Sequence, residues 1–163
     1  MDFDTDITEV APFQYESNGF RFLNGRILSG SVDGTDYLGF GDPGCGGCIP
    51  LEIYIETISG AAFNLDSIDI AIGSLFPSAT VSAAFAGGGS IDRSITTAGW
   101  QTQAFGAGWE NIETMVISMN SNSGLDQLGI DNFSASVVPI PAAVWLFGSA
   151  LAGLGWMRRK QVA

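Results

Sequence analysis

Leu51-Glu52-Ile53-Tyr54-Ile55-Glu56-Thr57 decides the fold class of this chain. Its apolar residues fall on every second position, so an extended strand turns Leu51, Ile53 and Ile55 inward and Glu52 and Glu56 outward. The same period recurs on both sides. Toward the C-terminus it continues in Ala62–Leu65, Ser67–Ile72 and Thr80–Phe85, which stops at Gly87-Gly88-Gly89, and resumes at Ser90. Thr102–Phe105 leads into Gly106-Ala107-Gly108, Asn111–Met119 reads as another strand, and Gln127–Val137 closes the series. Toward the N-terminus, Phe20 and Phe22 share one face, and Asn24-Gly25 predicts a tight hairpin turn into Arg26–Ser29. Residues 30–50 read as loop, because seven glycines and two prolines forbid a long element there. About nine short strands and no soluble helix predict an all-β domain, a two-sheet antiparallel β-sandwich.

The domain ends abruptly at Val138-Pro139-Ile140-Pro141-Ala142-Ala143. Pro139 holds Ile140 out of the helical region, and Pro141 can open a helix because the N–H it lacks would have no partner there. Residues 142–157 are uncharged and mostly apolar, and Arg158, Arg159 and Lys160 follow. At about 1.5 Å per residue the run is roughly 24 Å long, slightly short of a hydrocarbon core of about 30 Å. Trp145 and Trp156 suit the two interfaces, and the basic end belongs on the cytoplasmic side. The chain therefore divides into an exported domain over residues 1–137 and a membrane tail over residues 138–163, with one C-terminal transmembrane helix.

The order of parts in that tail closely resembles the PEP-CTERM sorting signal, in the variant that reads Val-Pro-x-Pro-Ala. Val138, Pro139, Pro141, Ala142 and Ala143 match its motif, and Arg158, Arg159 and Lys160 match its basic stop. The resemblance implies export from a Gram-negative cell, a transient anchor in the inner membrane and recognition by an exosortase-type membrane protease. It also implies a final place at the cell surface or in an exopolysaccharide or biofilm matrix. Asn18–Phe22, Phe63–Ala71, Gly87–Gly89 and Leu128–Phe133 resemble stretches of the jelly-roll domains that precede such tails, which implies a jelly-roll-like sandwich.

All 17 acidic residues precede Val138, against Arg21, Arg26 and Arg93. That imbalance argues against binding nucleic acid or anionic head groups. No histidine is present and the one lysine is Lys160, which removes histidine triads, histidine zinc sites and a Schiff-base lysine in the domain. The expectation is a non-enzyme. An exported protein should open on a basic, apolar leader, whereas this chain opens Met1-Asp2-Phe3-Asp4-Thr5-Asp6. The leader is expected upstream of Met1, or the chain is a fragment.

Three groups of residues are candidate sites. Cys45 and Cys48, in Cys45-Gly46-Gly47-Cys48, are expected to close a local disulfide in an oxidising compartment. Asp4 and Asp131 lie near the two ends of the domain, where a structural calcium can be held, the only cofactor expected. Trp100 and Trp109 border glycine-rich turns and are candidates for stacking on a sugar ring, with Tyr15, Tyr37 and Tyr54 beside them; core packing is the competing reading. The leading expectation is a structural or adhesive role in extracellular polysaccharide. The alternative is a lectin-like carbohydrate-binding module with a defined sugar site.

Overall fold

The computed structural model describes residues 8–29, 36–40, 52–73, 78–96, 99–119 and 127–139. These residues form twelve antiparallel strands, and among them there is no helix. In chain order they are β1 (Thr8–Ala11), β2 (Gln14–Ser17), β3 (Phe20–Leu23), β4 (Arg26–Ser29), β5 (Asp36–Phe40) and β6 (Glu52–Thr57). Then come β7 (Phe63–Gly73), β8 (Ala79–Phe85), β9 (Ser90–Ile95), β10 (Gly99–Ala104), β11 (Ile112–Met119) and β12 (Gln127–Val137).

The strands pair into two layers, β1-β2-β3-β6-β11-β8-β9 and β10-β7-β12-β5-β4. The layers are not separate sheets as the sequence predicts, because Ile112 of β11 pairs with Phe63 of β7 and makes one continuous, curled sheet. The cause is the tight link from β6 to β7. Thr57 Oγ1 donates to the Ala61 carbonyl at 2.5 Å and Gly60 N–H to the Thr57 carbonyl at 3.1 Å. Held this way, the chain enters β7 still alongside β11, on the flank that β6 has just left.

Alternation puts the core between the layers. Ile53, Ile55, Met115, Ile117, Val81 and Phe22 point inward from the first layer, and Ile68, Ile70, Ile72, Leu128 and Ile130 from the second. Phe20 of β3 meets Phe63 of β7 edge-on at 5.3 Å and Phe133 of β12 at 5.2 Å, so rings from strands that share no ladder interlock across the gap. Burying each such side chain stabilises by about 1.5–3 kcal/mol, and edge-to-face pairing adds about 0.5–1.5 kcal/mol.

Two sequence expectations are corrected here. Residues 36–40, inside the expected loop, form β5, and Leu38 there is fully buried. The hairpin expected at Asn24-Gly25 does not exist: β3 pairs with β2 and β6, whereas β4 pairs with β5. Asn24 takes φ 70°, its N–H donates to the Phe13 carbonyl, and Gly25 packs so closely on Leu38 that a Cβ there would lie 2.6 Å from Leu38 Cδ1. The chain crosses between layers at this point. The tight hairpin is built instead by Asn18-Gly19, with φ of 47° and 85°, as two-residue turns between right-twisted strands require.

Cys45, Cys48, Asp4, Pro141, Ala142, Ala143, Arg158, Arg159, Lys160 and the expected span over 142–157 lie outside the described residues. Among the described residues no helix is long and apolar enough to cross a membrane.

Candidate functional site

The second layer turns one face to the core and the other outward, and one row of register partners crosses the outward face. Trp100 on β10 pairs with Ala71 on β7, Ala71 with Gly129 on β12, Gly129 with Gly39 on β5, and Gly39 with Arg26 on β4. Ile70, Ile72, Leu128, Ile130 and Leu38 flank these positions and face the core, so the row faces away from it. Gly129 and Gly39 are buried, so solvent does not reach this part of the face, whereas Ala71 is half-buried. Trp100 is half-buried at one end.

The next outward row holds Thr102, Asp69 and Asp131. Two carboxylates directly opposite each other repel. Asn132 answers that arrangement: its N–H donates to Asp131 Oδ1 at 2.7 Å and its Nδ2 to Asp69 Oδ2 at 3.0 Å. Asn132 can do both because it sits in a bulge, with φ 45° and with Asn132 and Phe133 together opposite Ile68. The bulge also reverses which residues face inward, so that Phe133 enters the core after Ile130. Asp131 is 1% exposed. Among the described residues no three acidic side chains gather as they would around a metal ion.

Trp109 is not a platform. It is 5% exposed and packs edge-on against Phe105 with ring centres 4.7 Å apart. Backbone bonds explain why. Asp66 has no register partner on β12, since pairing steps from Ser67↔Ser134 to Leu65↔Ala135. Its carbonyl accepts from Phe105 N–H at 2.8 Å, while Leu65 N–H donates to the Trp109 carbonyl at 3.0 Å. The glycine-rich loop is thus laced onto β7 and carries its indole into the core. Tyr15 is buried as well, whereas Tyr54 stands 39% exposed on β6.

Of the sorting motif, Val138 and Pro139 are described. Val138 N–H donates to the Ala62 carbonyl at 2.8 Å, one step past the last ladder pair, Val137↔Phe63. Pro139 has no N–H to extend that ladder, and it is exposed. The sequence reading placed Trp100 and Asp131 without seeing that one face carries both. It missed Asp69 and Asn132, for which the local signal was the Asp131-Asn132 turn chemistry alone.

No protein-family model matches the chain, and no curated protein does. Solved structures do match in fold. A family 29 carbohydrate-binding module in complex with cellulohexaose aligns with a TM-score of 0.50 at 10% identity, covering 82% of this chain and 92% of that one. TmCBM61 in complex with β-1,4-galactotriose gives 0.42 at 11% identity, covering 74% and 90%. An exo-β-agarase gives 0.49 at 14%, covering 85% of this chain and 24% of its own. At such identities the first of these speaks to the fold: this chain is similar in architecture to that module.

Proposed function

We propose that this chain is a non-catalytic polysaccharide-binding module whose ligand stacks on Trp100 and lies along β10 and β7. The observation that carries the reading is Trp100, half-buried on the outward face beside Ala71, with Asp69 and Asn132 one row away. An indole face packs against the C–H face of a pyranose, and the small side chain of Ala71 beside it does not obstruct a ring seated there. Asp69 and Asn132 are the hydrogen-bonding groups for sugar hydroxyls, held in place by each other. The jelly-roll-like layering and the likeness to a module seen with cellulohexaose support the same reading.

Delivery is the second part of the proposal, and it rests on the sequence of residues 138–163. The chain is exported, held in the inner membrane by its tail, and released by an exosortase-type protease to the surface or the polysaccharide matrix. The lectin-like and matrix roles then describe one molecule, which is retained in the matrix because it binds the polysaccharide.

Native gels cast with hydroxyethylcellulose, galactomannan, β-1,4-galactan or agarose test the binding. At least one should retard the full chain, and Trp100→Ala should weaken that retardation about tenfold, equivalent to about 1.4 kcal/mol. Retardation by none, or equal retardation of the variant, would remove this function.

A further inference from the structure

We infer that the seven-strand layer carries a second glycan-contact surface on its outward face, so that one module bridges two polysaccharide chains. The inference begins from side-chain chemistry sorted by register. Leu23 on β3, Tyr54 on β6 and Val116 on β11 are register partners and form one row across the outward face. Leu23 and Val116 are half-buried and Tyr54 is 39% exposed, so the row is a continuous apolar strip with a ring at its centre.

Polar rows border this strip on both sides, each about 7 Å away at about 3.4 Å per residue. On one side Glu52 pairs with Ser118 and Ser118 with Thr80. On the other Arg21 pairs with Glu56 and Glu56 with Thr114. A β-linked pyranose chain presents the complementary pattern: C–H faces along its middle and hydroxyl groups along both margins. The strip spans two strand spacings, about 10 Å, which accommodates about two sugar rings.

Electrostatics narrows the ligand class. Arg21 is held between Glu16 at 2.9 Å and Glu56 at 3.2 Å, so its charge is already matched within the protein. Tyr54 OH donates to Glu52 Oε2 at 2.6 Å, which fixes the ring edge and leaves the carboxylate beside the strip. Anionic sugars meet uncompensated carboxylates here, and neutral sugars meet acceptors for their hydroxyls. The second ligand is therefore a neutral polysaccharide.

This surface differs in kind from the Trp100 row. There the ring sits half-buried at the end of its row, whereas here Tyr54 stands 39% exposed at the centre of the strip. The two faces belong to opposite layers and look away from each other, with the aromatic core between them. One chain on each face gives a cross-link. Bridging rests on the binding proposed for the Trp100 face, and the experiment separates the two.

Two colours of beads are coated with whichever neutral polysaccharide of the gel panel retards the wild-type chain, and mixed pairs are counted after adding full-length protein. Wild type should pair the beads. Tyr54→Ala should be retarded in the gel within about twofold of wild type yet lose bead pairing about tenfold or more, whereas Tyr54→Phe, which keeps the ring, should still pair them. Pairing by Tyr54→Ala at the wild-type level would overturn the second surface and leave the Trp100 face standing. Self-association of wild type in the absence of polysaccharide, abolished by Tyr54→Ala, would instead make the strip a contact between copies and also overturn it. If no polysaccharide retards the protein, the Trp100 reading itself fails.

Discussion

The guanidinium of Arg93 on β9 lies 4.8 Å from the centre of the Phe105 ring, just beyond β10, and Nη1 donates to the neighbouring Ala104 carbonyl at 2.6 Å. Arg93 pairs in register with the buried Val81, so it occupies the inward side of a marginal strand. β9 and β10 are the end strands of their layers, and this one side chain joins them. Arg93→Met should lower stability by about 1–2 kcal/mol, combining a lost cation–π contact and a lost hydrogen bond. Arg93→Lys should recover only part of it, since an ammonium cannot hold both contacts with a planar fork. Urea unfolding decides: a loss under about 0.5 kcal/mol for the Met variant would show that the Arg93 contacts do not hold these two end strands together.

Gly25 is required by close packing. A Cβ at Gly25 would lie 2.6 Å from Leu38 Cδ1 and 2.7 Å from its Cγ, and Leu38 is fully buried, so the added methyl has to displace a core side chain. Gly25→Ala should cost about 1–3 kcal/mol as an overpacked core does. At Gly19, by contrast, nothing lies within 4 Å of a built Cβ and the constraint is its φ of 85°. Combining Gly25→Ala with Leu38→Val should cost less than the sum of the two single changes. Strict additivity in thermal unfolding would show that the clash is absent.

Tyr54 provides a pH test. Its hydroxyl bonds to Glu52, and that bond, followed by repulsion from the carboxylate, raises the phenol above its ordinary value of 10.0. A group raised in the folded state adds stability that is complete below its unfolded value and is lost as pH climbs through the folded one. Ultraviolet titration should find this tyrosine ionising above the ordinary phenol range, and Glu52→Gln should bring it back down. An unchanged titration in that variant would mean that Glu52 is not the cause.

Processing of the tail can be tested in the native host. Among the described residues Val138 is the last one bonded to the sheet, and Pro139 is exposed beside it. Replacing Pro139 and Pro141 by Ala should leave the span intact but the protein uncut, because the extended, donor-poor segment that a protease groove would take is gone. Release of the double variant at the wild-type rate, measured by mass spectrometry of the surface fraction, would reduce the tail to a plain anchor.

Much of the core was legible from alternation. Ile53 and Ile55 are buried and Tyr54 between them is exposed, as the reading of residues 51–57 requires, and the same holds through Ile68, Ile70 and Ile72. Period two is a local property of an extended backbone, so it survives without knowledge of the partner strands. What failed was local chemistry with two outcomes. Asn18-Gly19 and Asn24-Gly25 are the same dipeptide, yet one turns a hairpin and the other carries the chain between layers.

The sequence alone determined the all-β class, the inward faces of the strands, the acidic balance and the order of parts in the tail. Tertiary structure alone decided that Trp109 enters the core while Trp100 ends an outward row. It also decided that Asp69 meets Asp131, and that Ala71, Gly129 and Gly39 line up. Those relationships depend on register between strands far apart in the chain, and on bulges at Asp66 and Asn132 that shift it. A bulge displaces every later side chain to the opposite face, and its place is set by packing partners that no local pattern names.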